Sequence, residues 1–323
     1  MKRAGFGLLL LVPLSLVIGL LAGPVTLSPR DIWAGLVHPY SDSAAIVRDL
    51  RLPRILLAFL VGGSLSVVGA SLQALLRNPL ADPYLLGLSG GAGLGAVVAI
   101  AINPGWPWAV PAAAFAGAAG AIALVYRLSV VSGRRLDPRV LLLAGVVVGS
   151  FAGAIMTTVA SLSEAAELKR AFLWLLGGFG AASWSALAVF AAYAALPLLV
   201  LLLSGRALDL LALGDESAKH LGADVERTKR IVYIATSLLT AASVAVCGMV
   251  GFVGLVVPHA VRRIWTPMHR ELLPIVFFLG GAFLVLADGL ARTIVRPLEL
   301  PVGAVTAIVG VPLFAILLRR NYT

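Results

Sequence analysis

The sequence of 323 residues is 60% hydrophobic and only 12% charged. A soluble domain carries about 25% charged residues, so this composition excludes a soluble globular protein and favours a polytopic membrane protein built from helices. The net charge of +10 would suggest nucleic acid as the partner of a soluble chain, but here it fits basic loops that face anionic lipid on the cytosolic side.

Nine apolar stretches are candidate membrane spans. They cover residues 6–22, 55–76, 85–102, 108–126, 140–162, 184–203, 231–258, 272–291 and 301–318. The first stretch follows Lys2 and Arg3 as a secretory signal would, but its apolar core is long enough to cross a membrane. We therefore expect an uncleaved first span.

The segment 231–265 is too long for one span. As a single helix it would measure about 50 Å, against roughly 30 Å of hydrocarbon. A fold-back is possible at Gly248, Gly251 and Gly254, and it gives ten spans with both basic chain ends in the cytosol. Ten spans place 17 of the 25 basic residues inside and nine spans place only 14 there, so the charge distribution favours ten.

Two segments on the opposite side are predicted to form short helices. The loop 24–53 contains the run 28–31, which has the N-cap pattern of a helix start. The segment 163–183 is too short to cross and predicts a re-entrant or interfacial helix, with Trp174 and Trp184 at the headgroup level.

Three patterns that would indicate an enzyme or a metal site are weak. Residues 87–91 match G-x-S-x-G and His259 lies in a later span, but a nucleophile elbow needs a strand before its turn. No Gly-Lys pair occurs, so the phosphate-binding P-loop pattern is absent. The residues that could act as metal ligands are not spaced as a metal site requires; they are His38, His220, His259 and Asp288. We predict no catalytic residue, no metal site and no cofactor bound by this chain.

An ion-coupled secondary transporter is the alternative to the interpretation given below. Such a carrier keeps ionisable residues at mid-bilayer. Only Asp288 lies within an otherwise apolar run, and Arg292 follows one helical turn later. A local ion pair between these two residues explains both charges.

The segment 204–230, called the polar segment below, holds ten charged residues, a quarter of those in the chain. Asp215 is predicted to N-cap a short helix, Glu216 suits its first turn and Gly222 suits the C′ position. Such a helix would project from the cytosolic face and transmit force from a docked protein. A solvated loop is the other possibility.

Residues 216–222 read E-S-A-x3-G and resemble the E-A-A-x3-G coupling motif of ABC-importer permeases, with serine in place of the first alanine. Three longer segments, 51–95, 248–264 and 286–314, resemble the iron-siderophore, haem and cobalamin permease family. The resemblance implies an all-α, type II ABC importer permease fold, with residues 1–323 forming a single transmembrane permease domain of ten transmembrane helices.

The resemblance also implies partners and a location. The expected partners are a second copy of the chain, two cytosolic ABC ATPases that bind ATP and Mg, and a periplasmic or lipid-anchored substrate-binding protein; nucleic acid is not expected. The location is the inner membrane of a bacterium. The ligand would be a large iron chelate, haem or corrinoid, on a path lined largely by the fifth and tenth spans.

Matched residues receive roles only through this resemblance. The residues that match the ATPase-coupling motif are Asp215, Glu216, Ala218, His220, Leu221 and Gly222. The residues that match arginines docking the binding protein are Arg51, Arg54 and Arg292, for which anchoring in the membrane interface is the alternative. The residues that match structural turns or gate supports are Asn78, Pro79, Asp82, Pro258 and His259.

Overall fold

The computed structural model describes residues 10–131 and 135–319, and this part of the chain is almost entirely helical. The first half forms α1 (Leu11–Leu21), α2 (Pro29–Val37), a π-helical segment (Ala45–Arg51) that continues into α3 (Leu52–Leu75), a 3₁₀ turn (Pro83–Leu86), α4 (Leu88–Ile102), α5 (Ala109–Ser129) and α6 (Pro138–Leu162). A hairpin of β1 (Val130–Val131) and β2 (Arg135–Leu136) joins α5 to α6.

The second half contains eight further helices. They are α7 (Ala165–Leu175), α8 (Trp184–Leu203), α9 (Gly205–Ala212), α10 (Asp215–His220), α11 (Val225–Cys247), α12 (Val253–Ile264), α13 (His269–Ala291) and α14 (Val302–Arg319). The basic chain ends used in the topology prediction, Lys2, Arg3 and Arg320, lie outside the described residues.

Each of the nine predicted apolar stretches contains most or all of a helix, and the stretch 231–258 also includes the start of α12; residues 6–9 of the first stretch lie outside the described residues. Six helices are long and apolar enough to cross a membrane: α3 with its π-helical segment, α5, α6, α8, α11 and α13. Three others, α1, α4 and α14, are apolar but shorter. Prediction of the helices from the apolar pattern is confirmed.

The predicted interruption of segment 231–265 is also present. Helix α11 ends at Cys247, and α12 begins only at Val253. Gly248 has a φ of +70°, and a Cβ there would lie 2.2 Å from the carbonyl oxygen of Trp174, so only glycine fits. Phe252 also adopts a positive φ, of +68°.

Helix α3 is the centre of the bundle. Most of its residues are buried, whereas only about a quarter are buried in the apolar windows of α5, α6 and α8. Close contact with neighbouring helices depends on glycines: a Cβ on Gly62 would lie 2.4 Å from the Gly280 carbonyl oxygen of α13, and one on Gly69 would lie 1.9 Å from that of Gly254 in α12. The exposed apolar faces of α5, α6 and α8 are available to lipid or to another chain.

The short helix α7 ends in the interior rather than crossing the bundle. The amide of Gly178 donates to the Cys247 carbonyl at 2.7 Å, and the amide of Val302 donates to the Gly177 carbonyl at 3.0 Å. The end of α7, the α11–α12 interruption and the start of α14 therefore meet. Trp174 is half-buried against the core, while Trp184 is exposed and donates its indole N–H to the Arg48 carbonyl.

Candidate functional site

The two ends of the bundle carry the predicted functional residues. Arg54 lies in the first turn of α3, at one end of the bundle. Arg77 lies just after the last residue of α3 at the other end, next to the polar segment 204–230. We call these the arginine end and the polar end.

At the polar end, α10 is a single short helix with a glycine at each boundary. Gly222, at C′, has a φ of +82°, and the amide of Ala223 donates to the Ala218 carbonyl at 2.9 Å. This is a Schellman cap, and the prediction for Gly222 is confirmed. The prediction that Asp215 is the N-cap is wrong: Gly214 occupies that position with a φ of +108°, and Asp215 is the first helical residue.

The outer surface of α10 is free within the chain. Ala218 is its one fully buried residue and fixes the helix to the bundle. Glu216 and His220 are exposed, Leu221 is 61% exposed, and no atom lies within 4 Å of a Cβ built on Gly222. The capped helix α10 therefore presents a surface that another protein can reach.

The carboxylate of Asp215 connects α10 to two other elements. It forms ion pairs with Arg77, just after α3, and with Lys229 Nζ at 2.5 Å. Lys229 is only 2% exposed, and its Nζ also donates to the Leu136 carbonyl at 3.3 Å. Glu226 accepts a hydrogen bond from the Leu136 amide at 2.9 Å. These connections were not predicted from the sequence, in which the spacing of three residues between Glu226 and Lys229 was the one available signal.

The residues after Arg77 form the predicted turn. Asn78 Oδ1 accepts from the Leu80 amide at 2.9 Å, and Pro79 is exposed. Asp82 caps the 3₁₀ turn by accepting from the Tyr84 amide at 3.0 Å, and burial raises the pKa of Asp82 to about 6. A role in gating stays a prediction.

Pro258 and His259 do not form a turn. Both lie inside α12, where Pro258 is buried and the His259 ring is 6.0 Å from the Phe314 ring of α14 in edge-to-face geometry. The turn predicted for this segment lies earlier, at the interruption before Val253. His259 therefore helps to pack α12 against α14.

At the arginine end, two of the three predicted docking arginines are buried and bonded to backbone. Arg51 donates to the carbonyls of Leu20 and Val25, at and beyond the end of α1. Arg292 donates to the Ala22 carbonyl at 2.6 Å and pairs with Asp288 at 2.9 Å.

Arg54 lies between two carboxylates. Its Nη2 is 2.8 Å from Asp288, which is 1% exposed, and its Nη1 is 2.9 Å from Glu299, which is 36% exposed on its side chain. Cavities of about 280 and 550 Å³ adjoin both Arg54 and Glu299. All three arginines thus already have hydrogen-bond acceptors within the chain, and Glu299, the partner of Arg54, is the most exposed of the carboxylates involved.

Asp288 and Arg292 form the local ion pair expected from their spacing. Because Asp288 also pairs with Arg54, its carboxylate is neutralised at one end of the bundle. In residues 10–131 and 135–319, no group of three His, Cys, Asp or Glu residues could hold a metal ion.

Residues 9–320 match the family model described as the FecCD transport family. The chain belongs to this family. It is 42% identical over 281 residues to the uncharacterized ABC transporter permease protein YvrB of Bacillus subtilis, covering 86% of this chain and 79% of YvrB. It is 38% identical over 325 residues to the vitamin B12 import system permease BtuC of Klebsiella pneumoniae, covering 99% of this chain and 94% of that protein.

A third relative is the cobalamin import permease BtuC of Halobacterium salinarum, 44% identical over 279 residues, with 85% of this chain and 73% of that protein covered. Among solved structures, an inward-facing metal-chelate type ABC transporter matches with a TM-score of 0.88 at 30% identity, over 99% of this chain and 100% of that one. PsaBC from Streptococcus pneumoniae shares the fold, with a TM-score of 0.57 at 15% identity over 85% of this chain and 93% of that one.

This FecCD-family chain is therefore an integral membrane protein and a permease subunit of the ABC-importer type. Its family works with ATPase and substrate-binding partners, and permeases of this type lack ATPase motifs of their own.

Proposed function

We propose that this permease imports a large iron chelate, haem or corrinoid as a homodimer, powered by two cytosolic ATPases that dock on α10. The observation that carries the proposal is the exposed, capped helix α10, which is joined to the bundle by Ala218 and by the ion pairs of Asp215. A rigid element of this kind can move the membrane helices when a docked ATPase changes shape.

Ten membrane passes with both chain ends in the cytosol are part of the proposal. Support comes from α12, which follows the interruption after α11 and contacts α3 near its polar end, where Arg262 donates to Gln73. If α12 returns to the polar end, α13 then leads back to Asp288 at the arginine end. This alternation adds a tenth pass to the nine apolar helices.

A substrate-binding protein would dock at the arginine end. Arg54 is the group best placed to receive a carboxylate from this partner, because Glu299 is partly exposed while Arg51 and Arg292 are buried. Docking would then exchange Glu299 for the partner's carboxylate, since a guanidinium presents a fork that either can occupy.

Cobalamin is the first ligand to test, because two of the relatives named above are cobalamin or vitamin B12 permeases. Haem and a ferric siderophore are the other two. The permease would be reconstituted into liposomes with its ATPase and its substrate-binding protein, and uptake of each ligand would be measured with and without ATP. The purified permease alone should not hydrolyse ATP.

ATP-dependent uptake of one of these ligands supports the proposal. Uptake that does not depend on ATP but depends on an imposed ion gradient would instead establish the alternative, an ion-coupled secondary transporter. The pairing of Asp288 with two arginines argues against that alternative, because no proton or cation can bind there without breaking an ion pair.

A further inference from the structure

Two residues of α10, Ala218 and Asp215, provide its side-chain attachment to the bundle. Its buried side consists of Ala218, a single methyl group, while its first residue, Asp215, forms two ion pairs. Apart from the backbone that connects α10 to α9 and α11, this helix is attached to the bundle mainly through the side chains of Ala218 and Asp215.

One ion pair joins α10 to the turn after α3. Arg77 has a φ of +47°, unusual for a residue with a side chain, and the turn that follows is tied by backbone bonds: the Asn78 amide donates to the Gln73 carbonyl and the Ala81 amide to the Asn78 carbonyl. A turn bonded in this way moves as one unit with Arg77.

That turn leads to the interruption between α11 and α12. The Tyr84 hydroxyl donates to the Val250 carbonyl at 3.1 Å and accepts from the Val250 amide at 2.9 Å. The neighbouring Met249 carbonyl lies against Gly177 and Gly303, where α7 ends and α14 begins. Asp215 is therefore linked, through Arg77 and Tyr84, to the point where three membrane segments meet.

The other ion pair joins α10 to Lys229 of α11, and Lys229 in turn is bonded to the segment before α6. Lys229 is buried and donates to the Leu136 carbonyl, while Glu226 accepts from the Leu136 amide. Leu136 lies two residues before the start of α6. The Asp215 carboxylate is thus connected to the segment that precedes α4 through Arg77, and to the segment that precedes α6 through Lys229. Helices α4 and α6 pack together through Gly90 and Gly149.

We propose that Asp215 is a positioning residue that transmits movement of α10 to the α3–α4 turn through Arg77 and to α6 through Lys229. The inference rests on the proposed function for the source of that movement, an ATPase docked on α10. It assigns Arg77 and Lys229 a role in coupling ATP hydrolysis to transport.

Arg77→Gln is the variant that tests the Arg77 branch. Arg77 is exposed, so its loss should leave the folded chain intact. In the reconstituted complex, we expect ATPase activity close to wild type but about threefold or more fewer ligand molecules imported per ATP. Glu271→Gln, which removes an exposed charge at the same end, is the control and should import normally.

A double-variant comparison separates transmission from two unrelated defects. If Arg77 acts through Asp215, the Arg77→Gln, Asp215→Asn double variant should be no worse than Asp215→Asn alone. The proposal would be overturned if the double variant lost import per ATP by the product of the two single-variant losses, or if Arg77→Gln imported as many ligand molecules per ATP as the wild type. If the wild-type complex itself shows no ATP-dependent import, the proposed function has failed instead.

Hydrogen exchange on the permease alone in lipid nanodiscs provides a test without any ATPase. Asp215→Asn should raise amide exchange at Asn78 and Ala81, which are outside the polar segment, and Glu271→Gln should not. Unchanged exchange at these amides would refute the link between α10 and the turn.

Discussion

Substitution of Glu299 by glutamine should strengthen binding of the substrate-binding protein. In the wild type, both carboxylate oxygens of Glu299 accept from Arg54, at 2.9 and 3.1 Å. Glutamine keeps the shape of the side chain but lacks the charge, so the Arg54 guanidinium would be easier to recruit. Asp288 still pairs with Arg54 and keeps it in position.

The size of the effect follows from the exposure of the pair. The side chain of Glu299 is 36% exposed and that of Arg54 is 12% exposed, so solvent reaches the pair from the Glu299 side and partly screens the attraction. Ion pairs at such sites contribute up to about 1 kcal/mol, which corresponds to about fivefold in Kd. We therefore expect Kd to fall by about twofold to fivefold, chiefly through slower dissociation.

Surface plasmon resonance with the permease in nanodiscs measures this change. Glu164→Gln is the matched control, because Glu164 is exposed just before α7 and its loss changes the net charge equally. Glu299→Gln binding that is equal to or weaker than the control would refute the exchange of carboxylates at Arg54. The charge reversal Arg54→Glu is a poorer test, since it would place a third carboxylate beside the buried Asp288 and unfold this end.

Three further outcomes can be measured on single variants. Gly222→Asn should preserve import per ATP while Gly222→Val reduces it, because φ is +82° there and asparagine tolerates that conformation while a β-branched residue does not; equal import by both would contradict this. Gly69→Ala should destabilise the folded chain by about 1–3 kcal/mol, because the new Cβ would lie 1.9 Å from the Gly254 carbonyl oxygen, and the midpoint of thermal unfolding in detergent should fall accordingly. Gly120→Ala should leave the unfolding midpoint unchanged, because no atom lies within 4 Å of a Cβ at that position. A similar fall in the midpoint of both variants would contradict the packing argument. Because burial raises the pKa of Asp82 from 3.8 to about 6, the folded state favours the protonated acid, and wild-type stability should fall relative to Asp82→Asn as pH rises across that range. If the unfolding midpoints of the wild type and of Asp82→Asn changed in parallel with pH, the pKa of Asp82 would not be raised by burial.

The helices were predictable because their cause is local. An apolar stretch in a membrane must satisfy its own backbone hydrogen bonds, so each stretch became a helix, and Gly248 marked the interruption in the longest one. Gly222 was predictable for the same reason, since a left-handed residue after a short polar helix favours glycine.

The ion pairs were not predictable because their partners are remote in the sequence. Arg54 pairs with residues 234 and 245 positions away, and Arg77 with one 138 positions away. A motif shows that an arginine occupies a position but not which carboxylate lies beside it. The motif therefore assigned Arg51 and Arg292 to docking without showing that both are buried and donate to backbone carbonyls.

The two ends of the bundle differ in what docking requires. At the polar end, Asp215 is already paired within the chain, while Glu216, His220 and Leu221 remain exposed, so an ATPase can dock without breaking an ion pair. At the arginine end, the proposed binding protein would first have to displace Glu299 from Arg54. The same contact area should thus give tighter binding at the polar end, which favours a permanent ATPase complex and a reversible one with the binding protein.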